Sequence, residues 1–278
     1  MIADDDAGGS VVPPAYRCPH CSLALAESAT VFECGSGHVF DRAREGYVNL
    51  LPGGRLAGGP SGDDDAMVRA RRAVFDRGAY DPIIDAVGAV VVDLTSGRGA
   101  PRVLDVGCGE GTYLARASTA AGGAGWGIDI SKAACRLAAR RAPGLHVAVA
   151  SNHRLPFDSG PFDVVINVFA PRDFPEMLRV LRPGGAAVVV TPGPHHLAQL
   201  KALVYDTPRA HRDDEPTPAP PDSVTTVQFT VQLPDPQLRR HLLEMTPYWW
   251  SASPERRAVV EAALHSVDAE MLLAVYRR

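Results

Sequence analysis

Four residues near the amino terminus have the types and the spacing to bind a metal ion. Two residues separate Cys18 from Cys21, twelve separate Cys21 from Cys34, and three separate Cys34 from His38. Thiolate sulfur and imidazole nitrogen are ligands that Zn²⁺ prefers, and two such pairs on tight turns close a tetrahedral site. His20, between the first two cysteines, is a weaker alternative to His38. The spacing therefore predicts one structural zinc ion with three cysteine ligands and one histidine ligand.

The distribution of cysteines supports a metal site over a disulfide framework. Three of the five cysteines lie within the first 34 residues of the chain. A module of roughly 35 residues has too small an apolar core to fold alone, so a metal ion would supply much of its stability. The alternative is that these cysteines are free thiols in a loop.

A glycine-rich turn near the middle of the chain can bind a nucleotide-like cofactor. Asp105 lies in an apolar run, and Gly107, Gly109 and Gly111 follow it before a helical pattern begins at Thr112. Glycine allows a ligand to lie against the backbone at the carboxyl end of a buried strand. The dinucleotide-binding fingerprint requires a glycine at position 112, so its spacing does not match. The alternative is a Rossmann-like strand that binds some other nucleotide.

The glycine spacing after Asp105 resembles motif I of the class I S-adenosylmethionine methyltransferases. S-adenosylmethionine carries a sulfonium and an ammonium group but no phosphate, so nearby carboxylates favour its binding. Asp129 ends the second β-rich run, where a carboxylate can accept hydrogen bonds from both ribose hydroxyls. Asn152 follows the third run, where this class often contacts adenine, although a turn-forming role is an alternative for it.

Alternating β-rich and helical runs must position these residues. Short apolar runs separated by helical patterns indicate a parallel sheet that is covered on both faces. We therefore expect an α/β fold, with a Rossmann-like class I methyltransferase core and a small N-terminal zinc-binding module. The expected core strands are residues 102–106, 125–130, 145–150, 163–168 and 186–191. A helical pattern over 63–92, a strand over 227–233 and a helix over 254–265 complete the prediction.

Length and composition predict a globular protein of two domains. The chain has 278 residues, of which 46% are apolar and 22% charged, and it has no run of about 20 apolar residues that would cross a membrane. Acidic residues 4–6 stand where a secretory signal would be basic, so a cytoplasmic location is expected. Residues 1–58 are predicted to form the zinc module with its linker and residues 59–278 the methyltransferase domain. The acidic, proline-rich segment 208–222 is predicted to be a flexible insertion.

Several longer sequence segments resemble those of the bacterial 23S ribosomal RNA guanine-N1 methyltransferases, a family that includes the macrolide-resistance methyltransferases of antibiotic producers. The resemblance extends over nearly the whole chain. Besides the cysteines and the glycine turn, it includes Glu45–Pro52, Ala70–Ala73, Gly78–Tyr80, Asn167–Arg172, Thr191–Pro194 with His196, and Met245–Pro247.

The resemblance implies particular partners and contacts. It implies that Tyr80, Gly109, Glu110 and His196 contact S-adenosylmethionine. It also implies that the substrate is 23S ribosomal RNA, and that the protein is a homodimer whose zinc modules help to form an RNA-binding cleft. A role in macrolide resistance and a housekeeping role both remain open. The net charge of −4 disfavours RNA binding only weakly, because a local basic patch does not depend on the overall charge.

Guanine N1 bears a proton at neutral pH and is paired inside a duplex, so the enzyme must take an unpaired or flipped base. In this fold the acceptor lies near the end of the fourth strand. Asn167 is expected to bond the guanine edge, Phe169 to stack on the base, and Arg172 to stabilise charge at O6 or bind a phosphate. A packed role for Phe169 is the alternative. No residue is an obvious general base, so positioning is expected to supply much of the rate.

Two other functions remain possible at this point. The core alone is compatible with a small-molecule methyltransferase of antibiotic biosynthesis, although the zinc module disfavours it. A non-catalytic RNA-binding protein on a methyltransferase scaffold is the second, which the intact glycine turn disfavours. Arg69, Arg71 and Arg72 would form a basic strip for RNA on the helix after the zinc module, or simply a solvated helix face.

Overall fold

A small antiparallel sheet carries the predicted metal ligands. The computed structural model describes residues 14–52, 63–211, 216–217 and 219–278. Strands β1 (Leu25–Glu27), β2 (Val31–Cys34) and β3 (Val39–Asp41) form this sheet in the order β1-β2-β3. The ring of Tyr16 packs on Phe32 and on Phe157 of the main domain, with centroids 5.7 and 5.3 Å apart. The N-terminal module therefore packs directly on the rest of the protein.

The main sheet combines a parallel part with an antiparallel edge. Its strands are β4 (Val48–Asn49), β5 (Arg102–Val106), β6 (Ala124–Asp129), β7 (His146–Val149), β8 (Phe162–Val168), β9 (Leu181–Pro192), β10 (Ser223–Gln232) and β11 (Ser266–Arg277). The spatial order is β10-β11-β9-β8-β5-β6-β7-β4. Strands β4 to β9 pair with one another in parallel, and β11 is antiparallel to both β9 and β10. The zinc module thus contributes the edge strand β4 to the sheet.

Helices cover both faces of this sheet. They are α1 (Asp65–Asp76), α2 (Asp81–Leu94), α3 (Thr112–Ala120), α4 (Lys132–Ala138), α5 (Phe174–Val180), α6 (Ala198–Val204), α7 (Pro236–Glu244), α8 (Tyr248–Ser251) and α9 (Pro254–Ala263). Successive residues of β5 point to opposite faces, so Val103 belongs to one apolar core and Leu104 to the other. None of the helices in the described part of the chain is both long and apolar enough to span a membrane.

The α/β prediction is confirmed, and the differences lie at particular elements. The first four core strands agree with their predicted bounds to within one residue, whereas β9 begins at Leu181, earlier than predicted. The helical run predicted over 63–92 is two helices, because the chain turns at Gly78, where φ is +72°. Strands β4 and β11 were not predicted. Residues 53–58, the end of the predicted module and linker, lie outside the described residues, and the described parts of 208–222 contain no helix or strand.

Candidate cofactor and metal sites

A cavity of about 840 Å³ opens at the carboxyl ends of β5, β6 and β8. Ligands of open α/β sheets bind at this edge, where the strand order reverses. Of the residues predicted to bind cofactor or substrate, the following line the cavity: Asp105, Gly107, Gly109, Glu110, Asp129, Asn152 and Phe169. The structure therefore brings together the residues that follow β5, β6, β7 and β8 around one space.

The glycine turn after β5 is held against the end of β6. Gly107 has a φ of +86°, and a Cβ atom there would lie 2.3 Å from the Cβ of Ala170. The backbone N–H of Gly109 donates to Oδ2 of Asp129 at 2.9 Å, and the N–H of Ser131 donates to Oδ1 at 2.8 Å. Gly111, with a φ of +88°, forms the N-cap of α3. Glycine is needed at these positions because no other residue adopts this backbone without strain or overlap.

Buried carboxylates give one end of the cavity a negative character. Asp105 is buried, and its Oδ1 atom has no hydrogen-bond partner among the described residues. Burial, with the nearby carboxylates of Asp129 and Glu110, raises the pKa of Asp105 well above its ordinary value of 3.8. Glu110 is also buried and pairs with Arg141. An unpartnered buried carboxylate beside a glycine cradle fits a cationic ligand, which is the charge of the sulfonium and ammonium groups of S-adenosylmethionine.

One arginine of α1 enters the cavity, which the sequence did not predict. Arg71 pairs with Asp63, and its Nη1 atom lies 3.4 Å from the position of a Cβ on Gly109. Arg69 instead pairs with Asp65 and Arg72 with Asp76. Arg71 therefore lies apart from the other two arginines. On a helix of 3.6 residues per turn, Arg69 and Arg72 share one side, and Arg71 points away from it.

Three residues for which cofactor contact was expected, Tyr80, Gly111 and His196, are not part of the described cavity wall. Tyr80 is only 2% exposed, and its ring packs on Phe75 and Phe229 with centroids 5.4 and 5.7 Å away. The buried ring of His196 lies 5.7 Å from that of Phe169. Burial lowers the pKa of His196 to about 4, so its imidazole is neutral at physiological pH. Their contact with the cofactor stays a prediction from the resemblance.

The end of β8 places its three predicted substrate residues differently. Phe169 lines the cavity with 42% of its surface exposed, and its φ of +53° is unusual for a bulky residue. Asn167 is fully buried, and its side-chain amide donates to the carbonyl of Val106 at 2.8 Å. Asn167 is not part of the described cavity wall, but its side-chain oxygen has no partner among the described residues, so its bond to the guanine edge stays a prediction. Arg172 is half-buried and is not part of the described cavity wall.

Asn152 joins the ends of two strands. Its side-chain amide donates to the carbonyl of Pro171 at 2.7 Å, so it connects the segments that follow β7 and β8. It also lines the cavity. Both roles considered from the sequence, a structural one and a contact with the ligand, are compatible with this position.

The four predicted metal ligands converge in the N-terminal module. The sulfur atoms of Cys21 and Cys34 lie 3.5 Å apart, and Nδ1 of His38 lies 3.6 Å from the sulfur of Cys18 and 3.3 Å from that of Cys34. All four donor atoms lie within 4.8 Å of one another. Tetrahedral zinc separates such donors by about 3.5 to 3.8 Å, so the cluster fits zinc. His20 instead packs its ring on His38, with centroids 5.0 Å apart.

Sequence reasoning missed other residues of the cavity wall. Asp63, Met67, Arg71, Tyr113 and Trp250 come from α1, α3 and α8 and the segments beside them. Apolar periodicity and glycine spacing give no sign of such contacts, because they depend on how distant helices pack over the sheet edge. The only available signal was that Trp250 belongs to an unusually aromatic run, Tyr248 to Trp250.

Family models match both parts of the chain. A zinc-ribbon model described as "RlmA, N-terminal" matches residues 16–55, which contain the four-donor cluster. A model described as "Methyltransferase domain" matches residues 103–185, which contain the glycine turn and the strands around it. The two matches together support both a zinc module and an S-adenosylmethionine-dependent core.

Several curated proteins are similar over almost their full length. The "23S rRNA (guanine(748)-N(1))-methyltransferase" of Streptomyces fradiae is 37% identical, with coverage of 94% of this chain and 96% of that protein. A protein of Micromonospora griseorubida named "Putative 23S rRNA (guanine-N(1)-)-methyltransferase" is 35% identical, covering 95% of this chain and 97% of that protein. A Bacillus subtilis protein with the same printed activity is 32% identical over 94% of this chain and 96% of that protein.

Proposed function

Because the chain belongs to the family of the 23S rRNA (guanine-N1)-methyltransferases, we propose that it transfers the methyl group of S-adenosylmethionine to N1 of a guanine in a hairpin loop of 23S ribosomal RNA. The observation that carries this proposal is identity of 32–37% to such proteins over about 95% of the chain. A small-molecule methyltransferase has no evident need of the zinc module, and that module is included in the similarity. The same similarity, with an intact glycine turn, disfavours a non-catalytic binding protein.

The glycine turn and its carboxylates form the cofactor site in this proposal. S-adenosylmethionine supplies an electrophilic methyl group on a sulfonium. Gly107 and Gly109 leave room for the cofactor against the backbone, Gly111 shapes the end of the turn, and the carboxylate of Asp105 compensates the cofactor's positive charge. Burial strengthens that interaction because the local dielectric constant is low. Glu110, which pairs with Arg141, contacts the cofactor as the resemblance implies.

Other residues bind the ribose, the adenine and the methionine portion of the cofactor. Both oxygens of Asp129 already accept a backbone N–H, but each has a second lone pair with which to accept a ribose hydroxyl. Asn152 contacts the adenine. The guanidinium of Arg71 binds the carboxylate of the methionine portion, since it lies over the glycine turn. Tyr80 and His196 complete the site as the resemblance implies, the buried Tyr80 hydroxyl and His196 Nδ1 being without partners among the described residues.

The substrate guanine binds beside Phe169. The exposed ring of Phe169 on the cavity wall supports stacking on a base that has left its RNA helix. Asn167 fixes the end of β8 next to the glycine turn through its amide nitrogen, and its side-chain oxygen bonds the guanine edge. Arg172 contacts a phosphate or the developing charge at O6. Positioning of the base against the cofactor supplies much of the rate.

The zinc ion has a structural role in this proposal. Cys18, Cys21, Cys34 and His38 form a closed set of four donors, which leaves no open coordination position for a substrate. The metal fixes the small sheet that packs on the main domain and leads into β4. We place the module and its linker in residues 1–58 and the methyltransferase domain in residues 59–278; the two family models match residues 16–55 and 103–185 within these bounds.

The proposal extends to the assembly and the cellular role. A homodimer, with both zinc modules beside one RNA-binding cleft, is what the resemblance implies, and light scattering of the purified protein tests it. A cytoplasmic location follows from a ribosomal substrate. Macrolide resistance is the physiological role we propose, since the family includes resistance enzymes. Expression in a sensitive host should raise the inhibitory concentration of a macrolide, and the Asp105→Asn variant should not.

Methyl transfer from labelled S-adenosylmethionine to naked 23S ribosomal RNA tests the activity. We expect RNA labelling that falls steeply as salt rises, because arginine contacts with phosphates release counterions. Labelling should disappear when the target guanine is held in a duplex. Arg172→Ala should reduce turnover more than cofactor affinity, whereas the exposed Arg77→Ala should affect neither. Absence of any label in the RNA contradicts the proposal.

A further inference from the structure

Trp250 has the largest exposed fraction among the large apolar side chains that the structure describes as exposed. Its side chain is 64% exposed, compared with 42% for Phe169. Trp250 nevertheless lines the cavity that contains the glycine turn. A tryptophan that is open to solvent on a ligand cavity contributes little to the core, and its apolar surface is available to a ligand.

The backbone at Trp250 is fixed although its ring is exposed. The neighbouring Trp249 ring lies under the guanidinium of Arg257, 3.9 Å from the ring centroid, and Arg257 also donates to the carbonyl of Trp249 at 2.8 Å. The N–H of Trp250 donates to the carbonyl of Pro247 at 3.3 Å. These contacts hold α8, so ordering the backbone adds little to the entropy cost of binding through Trp250.

The cavity favours uncharged contacts with a nucleic acid. Its wall includes five carboxyl groups, those of Asp63, Asp64, Asp105, Glu110 and Asp129, against one arginine, Arg71, which already pairs with Asp63, so the wall offers little attraction to a phosphate backbone. An RNA base that enters this space must therefore be held through its faces and edges. Aromatic side chains offer such contacts to every base, because each base has two π-faces.

Trp250 and the proposed cofactor residues lie on different elements of the chain. The proposed cofactor groups of the cavity wall lie on α1 and at the ends of β5, β6 and β7, whereas Phe169 follows β8 and Trp250 lies on α8. The cavity volume of about 840 Å³ lies toward the upper end of the roughly 300–1,000 Å³ usual for ligand pockets, so it has room for a base beside a cofactor. The greater exposure of Trp250 indicates the open side, through which a macromolecular substrate must enter.

We propose that Trp250 is a substrate-binding residue that stacks on the flipped nucleotide at the mouth of the cavity and, with Phe169, holds the target guanine in place. This inference rests on the proposed function. It makes the α8 segment part of the RNA site. It also explains the aromatic run Tyr248 to Trp250 in part, since Trp249 anchors the segment and Trp250 contacts the substrate.

Two substitutions at Trp250 separate aromatic stacking from simple bulk. Trp250→Phe keeps a π-face, and Trp250→Leu keeps apolar volume without one. The exposed Val259→Ala on α9, which is outside the described cavity wall, is the control. For each variant we would measure the KM for naked 23S ribosomal RNA, the Kd for S-adenosylmethionine by calorimetry, and the melting temperature.

We expect Trp250→Leu to raise the KM for RNA about tenfold, the lower part of the range for losing an aromatic–base stack. Trp250→Phe should stay within about threefold of the parent, and the cofactor Kd and melting temperature should not change in either variant. Unchanged RNA kinetics in Trp250→Leu, equal losses in the Leu and Phe variants, or a weakened cofactor Kd with an unchanged RNA KM would each overturn the inference. If the parent protein fails to methylate the RNA, the proposed function itself fails, and this inference fails with it.

Discussion

The backbone N–H of Gly109 donates to Oδ2 of Asp129 at 2.9 Å, which ties the glycine turn after β5 to the carboxylate that ends β6. The second oxygen of Asp129 accepts the N–H of Ser131 at the start of α4. Two strand ends and a helix start therefore depend on one side chain. Asp129 serves the cofactor site both by shaping the turn and by offering its remaining lone pairs to a ligand.

Asp129→Ala should weaken S-adenosylmethionine binding by about 1–3 kcal/mol, the scale expected when hydrogen bonds to a charged group are lost. Two backbone N–H groups lose their acceptor in this variant, so the turn should also become less ordered. Calorimetric titration measures the affinity, with the exposed Lys132→Ala as a control on the adjacent helix. An unchanged affinity in Asp129→Ala would show that the cofactor does not use this strand end.

Gly107→Ala should abolish cofactor binding, because the new Cβ would lie 2.3 Å from the Cβ of Ala170. Gly122→Ala is the matched control, since it also has a positive φ, +62°, but nothing lies within 4 Å of the new atom. The left-handed backbone costs each alanine about 1–2 kcal/mol, so the difference between the variants isolates the steric overlap. Equal cofactor affinities in the two variants would contradict this explanation.

His38→Ala should lose zinc, whereas His20→Ala should retain it. Both imidazoles are close together, but only His38 belongs to the cluster of four donors. Metal analysis of the purified protein should give about one zinc per chain for the parent and for His20→Ala. The Cys34→Ser variant should loosen the N-terminal module and change cofactor affinity by less than about tenfold, since the zinc cluster and the glycine turn are separate. A metal-free parent protein with a folded module would refute the zinc site.

Asp105→Asn should stabilise the cofactor-free protein at neutral pH and weaken its cofactor binding. Burial and the carboxylates of Asp129 and Glu110 raise the pKa of Asp105 well above 3.8 in the folded state. The folded protein thus holds this proton more tightly than the unfolded chain does. The resulting stability is fully present below the unfolded pKa and is lost as pH rises through the folded pKa.

Melting temperatures of the parent and of Asp105→Asn across a pH series test the direction of this pH dependence of stability. The advantage of the variant should be largest at neutral pH and should shrink as pH falls, because the parent then becomes protonated as well. An advantage that grows toward acid pH would contradict the assignment of the raised pKa to Asp105. Asp158→Asn, which changes an exposed carboxylate, serves as the control.

Much of the fold was predictable because buried parallel strands leave short apolar runs in the sequence. The run that contains Asp105 gave β5 its correct bounds. Strand β4 was missed because two residues carry no periodic pattern, and its pairing with β7 depends on how the zinc module packs. Strand β11 lies between β9 and β10 in the sheet, an order that depends on long-range pairing and not on local sequence.

Site residues were predictable where spacing along the chain brings them together, and less predictable where the packing of distant elements does. The zinc donors and the glycine turn follow from spacing, and the structure brings each set together. Asn167 was expected in the cavity, but the sheet pairing directs its amide to Val106. Arg71 and Trp250 reach the cavity from helices that pack over the sheet edge, and no local pattern reports such packing.

The position of the transferred methyl group tests the central proposal most directly. Naked 23S ribosomal RNA would be incubated with the purified protein and labelled S-adenosylmethionine, digested to nucleosides and analysed by mass spectrometry, followed by mapping of the modified fragment. We predict a single 1-methylguanosine in a hairpin loop, and none with the Asp105→Asn variant. Label on N7 of a purine, on a ribose, or only on a small metabolite added as competitor would contradict the proposal.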